Sequence, residues 1–235
     1  MVKGNAAGKS EKSVSSETKC RIVLIDDHPL IRQGLAQLLG TRPRLTVIGE
    51  ADSAGAGMEM VRKHKPDLVI LDLSLAKADG LEVVKQLKAE LPRLPVLVIS
   101  MHEESVYAER VLRAGARGYV MKKEPSEKIF QAIEQVLRGE IFVSERIKQD
   151  MLQFSATGKR ISNEGGEPLD HLTDREMQVF RLLGEGISTR EIAERLHLSV
   201  KTIETYRENL KVKLNLPTGS ALIQRAIQWG RSQSG

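Results

Sequence analysis

Five polar residues stand where apolar runs end. Asp26 and Asp27 follow the run RIVLI, Asp72 closes DLVILD, Ser100 closes PVLVIS, and Lys122 comes just after RGYVM. Three carboxylates held together repel one another, and one takes a proton unless a cation sits among them. The donors read as oxygen only, with no histidine or cysteine in the set. That chemistry suits magnesium (Mg2+), which binds through one or two carboxylates, waters and phosphate oxygens. Lys122 is a poor metal ligand but a good partner for a bound phosphoryl group. Each residue alone has a plainer use, as a helix N-cap for Asp27 or Ser100 or a solvated lysine for Lys122. Capping does not call for the acidic pair, the third-run aspartate and the lysine together.

The elements that must position these residues follow from periodicity. RIVLI, LTVIGE, DLVILD, PVLVIS and RGYVM are short, continuous and rich in Val and Ile, as in strands buried on both faces. Between and after them lie amphipathic stretches with apolar residues at helical spacing, such as Leu81, Val84, Leu87 and Leu91, or Ile129, Ile133, Val136 and Leu137. A fivefold β then α alternation predicts an α/β doubly wound, parallel five-stranded sheet. In such sheets ligands bind outside the carboxyl ends of the strands, so the polar residues share one rim.

Composition narrows the classes. The chain has 235 residues, enough for two domains, and a net charge of +5. Cys20 is the only cysteine, which excludes an intrachain disulfide framework and multi-cysteine zinc sites. There is no apolar run of transmembrane length and no secretory pattern. These features predict a cytoplasmic protein with no membrane partner. Residues 1–19, rich in Ser, Gly, Lys and Ala, read as a disordered arm. The α/β unit spans 20–140, and 141–167 read as a flexible linker in which SERIKQDMLQF could form a short helix.

Residues 168–235 carry no strand signal and read as short helices. TDRE at Thr173–Glu176 and STRE at Ser188–Glu191 fit the capping box. Further helices begin at Ser199 and near Thr218. REIAERLHLSVKTIETYRENLKVKL is helix, tight turn, helix around Ile192, Ala193, Leu196, Leu198 and Ile203, the form of a helix-turn-helix. Lys201, Glu204, Thr205 and Glu208 then share the outward face of its second helix, which can enter a major groove.

IDDHPL, VILDLSLAKADG, VLVIS and AGARGYVMKKE resemble the receiver domain of two-component response regulators, which has a flavodoxin-like fold. The resemblance implies that Asp72 accepts a phosphoryl group from a sensor histidine kinase or a small phosphodonor. It implies that Asp26, Asp27, Asp72 and the backbone carbonyl of Ser74 hold Mg2+, Asp26 largely through water. It makes Lys122 the phosphoryl partner, and Ser100 and Tyr119 the switch pair. Where the family usually has Pro, this chain has Ala76.

LTDREMQVFRLLGEGISTREIAERLHLSVKTIETYRENLKVKL resembles the LuxR-type DNA-binding domain, and the whole chain the NarL/FixJ subfamily. This implies a recognition helix over 201–208 and contacts to double-stranded DNA from Thr189, Lys201, Thr202, Glu204, Thr205, Arg207 and Glu208. A homodimer is expected when the chain is phosphorylated, formed through Leu222, Ala226 and Trp229 of the last helix. Tyr206 stands where the family often has His. The expected function is a phosphorylation-dependent transcriptional regulator rather than an enzyme. Two alternatives are a DNA-binding regulator with a non-switching receiver and a magnesium-dependent phosphatase with an aspartate nucleophile.

Overall fold

The computed structural model of the protein describes residues 19–75, 79–157, 169, 172–196 and 198–233. Residues 1–18 of the expected arm, Ala76, and residues 158–167 of the expected linker lie outside the described residues.

Strands β1 (Cys20–Ile25), β2 (Leu45–Ala51), β3 (Leu68–Leu71), β4 (Val96–Ser100) and β5 (Gly118–Met121) form one parallel sheet in the order β2-β1-β3-β4-β5. Helices α1 (Pro29–Gly40), α2 (Ala54–His64), α3 (Gly80–Glu90), α4 (Glu104–Ala114) and α5 (Ser126–Leu137) alternate with the strands. Successive strand side chains point to opposite faces, and both faces are covered. Ile22, Leu24, Leu68, Ile70, Leu97 and Ile99 pack with Leu35 and Leu39 of α1 and Ile129 and Ile133 of α5. Val23, Ile25, Val69, Leu71, Val96 and Val98 pack with α2, α3 and α4. Burial on both sides explains why the strands read as unbroken apolar runs.

The segment after α5 differs from a free tether. Phe142 accepts from the Tyr119 amide and donates to the Arg117 carbonyl, each at 2.9 Å, extending the sheet past β5. Ser144 then donates from its amide to Glu104 of α4 at 2.7 Å. Helix α6 (Glu145–Thr157) packs on α4, burying Ile147. The expected linker is thus structured in its first half, because covering an open sheet edge satisfies its backbone groups.

The second unit is α7 (Asp174–Gly184), α8 (Thr189–Leu196), α9 (Val200–Lys213) and α10 (Gly219–Gln233). Thr173 caps α7 in a capping box with Glu176, and the pair Ser188 and Glu191 makes the same reciprocal bonds ahead of α8. Phe180, Leu183, Ile192, Ala193, Ile203, Leu210, Leu222, Ala226 and Trp229 form the core. Leu222, Ala226 and Trp229 therefore face inward, with Trp229 5.7 Å from the Phe180 ring. This corrects their assignment to a dimer contact: positions three and four apart put all three on the buried stripe. The core on the α2, α3 and α4 face runs on without a break into the helical unit.

Candidate functional site

Backbone hydrogen bonds carry the strand ladders one residue past the strands and so fix the rim. The Asp26 amide donates to Ala51 at 3.0 Å, the Asp72 amide to Ile25 at 2.8 Å, and the Lys122 amide to Ser100 at 2.7 Å. Asp26 also accepts from the His28 amide at 2.8 Å, which turns the chain into α1 behind Pro29. Gly80 is needed behind the site, because a Cβ there would lie 2.5 Å from Cα of Leu73 and 2.9 Å from the carbonyl of Asp72.

Nζ of Lys122 lies 2.7 Å from Oδ2 of Asp26 and 2.8 Å from Oδ2 of Asp72, all three side chains being buried. Oδ1 of Asp72 is buried without a hydrogen-bond partner. Burial pushes the Asp72 carboxyl above its usual range, against the pull of Lys122, and the Asp26 carboxylate adds to the rise. Donor atoms of Asp26, Asp27, His28 and Asp72 all lie within 4.8 Å of one another. Asp26, Asp27 and Asp72 bring three carboxyl groups to one ammonium at this rim, a donor set that suits a divalent cation.

The oxygen-only expectation needs a correction. Nδ1 of His28 sits 2.9 Å from Oδ1 of Asp27 and 3.3 Å from Oδ1 of Asp26. The signal for it in the sequence is a histidine directly after the acidic pair. Asp27 and Ser100 are not the helix caps of their plainer readings. His28 occupies the cap position of α1 and Glu103 that of α4.

Ser100 and Tyr119 are both buried, and both touch one residue, His102. Ser100 Oγ accepts from the His102 amide at 3.3 Å, and the Tyr119 hydroxyl donates to the His102 carbonyl at 2.7 Å. Nε2 of His102 lies 2.9 Å from Oγ of Ser74. Burial, with Arg181 and Lys122 nearby, pushes the His102 imidazole down to about 4, so it is neutral near pH 7. Burial raises the Tyr119 phenol well above its ordinary value.

On α9, Ser199 Oγ accepts from the Thr202 amide at 3.0 Å and lies 2.7 Å from the Thr202 hydroxyl, so Thr202 is occupied at the cap. Lys201, Glu204, Thr205 and Glu208 are exposed together, as the spacing predicts. Glu208 pairs with Lys211 at 2.8 Å. Arg207 donates to the Thr189 hydroxyl, tying α9 to the first residue of α8. Tyr206 is half-buried against the core.

Residues 22–134 match the response regulator receiver domain family, and residues 170–226 match the luxR family of bacterial regulatory proteins. The chain is 35% identical over 217 residues to the transcriptional regulatory protein MctR of Rhizobium johnstonii, covering 92% of this chain and 97% of that one. The chain is a NarL/FixJ response regulator. This response regulator is also 30% identical over 210 residues to the oxygen regulatory protein NreC of Staphylococcus haemolyticus, covering 88% of its own length and 97% of its relative's. Its structure is similar to that of RcsB from Salmonella enterica serovar Typhimurium bound to promoter rprA in the presence of phosphomimetic BeF3-. That likeness has a TM-score of 0.69 at 26% identity, over 88% of this chain and 98% of the other. A receiver and a LuxR-type helix-turn-helix in one chain make the response regulator a DNA-binding regulator of transcription. Among the described residues, no helix is long and apolar enough to cross a membrane.

Proposed function

We propose that Asp72 is the phosphoacceptor of a magnesium-dependent switch that controls how the helix-turn-helix engages double-stranded DNA. The observation that carries this reading is the Asp72 carboxylate itself. Its Oδ2 is held by Lys122, and its Oδ1 is buried without a hydrogen-bond partner, with the carboxylates of Asp26 and Asp27 beside it. In phosphoryl transfer from a kinase phosphohistidine, Oδ1 forms the new bond to phosphorus, the phosphorus–nitrogen bond breaks, and the electron pair leaves with the imidazole. Such transfers depend on positioning and charge stabilisation more than on covalent help. Asp26, Asp27, Asp72 and the Ser74 carbonyl would hold a magnesium ion, which would supply positive charge to the phosphoryl oxygens. Lys122 already bridges two carboxylates at this rim and is placed to exchange one of them for a phosphoryl oxygen. Ser100 and Tyr119 read the change as the switch pair.

On the DNA side, Lys201 is placed for a phosphate, and Glu204 and Thr205 for base edges. Thr189, Thr202, Arg207 and Glu208 support the same surface, and a homodimer forms on phosphorylation. A protein of this kind works in the cytoplasm with a sensor histidine kinase as donor.

The test is labelling with a small acyl phosphate. One phosphoryl group should be incorporated when magnesium is present, none after chelation, and none in Asp72→Asn. Label that persists in Asp72→Asn would move the site, and absence of label in the wild type would favour a non-switching receiver. Sustained turnover of an aryl phosphate would favour the phosphatase reading.

A further inference from the structure

The amino ends of the strands, opposite the acidic rim, carry a groove of about 890 Å³. That volume falls in the range of small-molecule sites, roughly 300–1,000 Å³. Its apolar lining is Val61, Leu91, Leu94 and Leu137, with Pro66 and Pro95. Backbone bonds hold the walls: the Lys65 amide donates to Val61 at 2.9 Å, the Asp67 amide to Arg21 at 2.8 Å, and the Val69 amide to Pro95 at 3.1 Å. Proline adds a fixed φ, so the groove is preformed. Its described lining contains no aromatic ring. The apolar part of a fitting ligand is therefore an aliphatic chain rather than a flat ring that needs stacking.

The charged lining is Arg62, Lys65 and Arg93 against Asp67 and Glu90. Both carboxylates are engaged: Glu90 takes Arg62 through its two oxygens at 2.7 and 2.8 Å, and Asp67 accepts from the Arg21 amide at 2.8 Å. The side chains of Lys65 and Arg93 are exposed and have no anionic partner among the described residues. Two cations at an apolar groove call for an anionic head, and the ends of the helices limit its charge. Arg62, Glu90 and Leu137 belong to the carboxyl ends of α2, α3 and α5, where the partial charge is negative. None of the lining residues belongs to a helix amino end, the usual cradle of a phosphate. A single carboxylate suits this balance better than a doubly charged phosphate.

We propose that this groove binds a monomeric fatty carboxylate, its chain along Leu91, Leu94 and Leu137 and its head on Lys65 and Arg93. Arginine offers a carboxylate two parallel hydrogen bonds, and lysine adds a point charge. The groove lies at the far end of the strands from Asp72, so this reading stands whether or not Asp72 takes a phosphoryl group.

The probe is decanoate, titrated calorimetrically into the full-length protein below its micelle concentration. One saturable site is expected, and octanoate, shorter by two CH2 groups, should bind roughly tenfold more weakly. Decanol, which has the chain without the charge, should also bind about tenfold more weakly than decanoate. A Lys65→Asn, Arg93→Gln protein should bring decanoate down to the level of decanol and leave decanol unchanged. Both positions are exposed, and Asn suits the left-handed backbone of Lys65 at φ 45°, so circular dichroism should match the wild type. Leu137→Ser, at another exposed position, should weaken decanoate and decanol alike, and it decides alone if the double variant does not fold. Absence of saturable binding, equal affinity for decanol and decanoate, tighter binding of decyltrimethylammonium, or unchanged decanoate binding in the folded variants would each overturn the proposal. So would binding confined to anionic phospholipid vesicles, which would make the partner a membrane surface. Decanoate binding seen only after removal of residues 1–18 would make the chain's own arm the occupant, and would overturn it too.

Discussion

The Lys122 ammonium and the Asp72 carboxylate lie 2.8 Å apart, both buried, with the second oxygen of Asp72 left unpaired. One cation thus satisfies half of the carboxylate and leaves its other half available.

The first prediction concerns that imbalance. Magnesium should raise the melting temperature of the wild type, because an ion bound only by the folded state at one hundred times its Kd stabilises by about 2.7 kcal/mol. Asp72→Asn removes a carboxyl whose ionisation burial resists, so its metal-free form should melt above the metal-free wild type and respond less to magnesium. Differential scanning calorimetry with and without chelator checks both. A wild type indifferent to magnesium would remove the metal from the account.

A second prediction concerns Glu176. Its carboxylate accepts from the Thr173 amide at 2.8 Å, the Thr173 hydroxyl at 2.9 Å and Lys213 at 2.7 Å. Glu176→Ala strands those donors and should cost about 1–3 kcal/mol in urea unfolding. Burial alone would raise the Glu176 carboxyl, but the bonds from Lys213 and Thr173 outweigh it and hold it below its usual range. A depressed carboxyl stabilises above the unfolded-state value and loses that contribution as pH falls through the folded value. The wild-type advantage over Glu176→Ala should accordingly shrink below about pH 4.3.

Two glycines should respond in opposite directions. Gly34 has nothing within 4 Å of an added Cβ and lies mid-helix in α1. Gly34→Ala should therefore stabilise by about 0.5–1 kcal/mol. At Gly184 an added Cβ would meet the Ala226 carbonyl oxygen at 2.5 Å, where α7 and α10 pack backbone against backbone. Gly184→Ala should destabilise by about 1–3 kcal/mol. Equal effects in thermal melts would contradict the packing described.

On the recognition helix, Lys201→Ala should weaken all DNA sites alike and reduce the salt dependence of binding. Glu204→Ala should change preference at one base position by about 1–3 kcal/mol. Glu208, held by Lys211, should show a smaller effect than Glu204. Binding-site selection with each variant separates the three, and an unchanged consensus for Glu204→Ala would end its role in base reading.

Much of this protein is determined by sequence alone. Strands and helices follow from local periodicity, the capping boxes at Thr173 and Ser188 from residue spacing, and the shared rim of Asp26, Asp72 and Lys122 from their places at strand ends. Those are short-range properties, readable wherever backbone pattern and side-chain type agree. Tertiary structure decided the rest. The order β2-β1-β3-β4-β5 sets Asp26 and Asp72 on adjacent strands and brings Lys122 over them from the far edge. Whether α6 seats on α4, and whether Trp229 meets His102, depends on surfaces from segments far apart in the chain. No periodicity marks such a contact, because each residue has a complete local role without it: Trp229 is already core to its own domain, and His102 already follows a strand. Only the fold, by closing one buried face over the other, makes them neighbours.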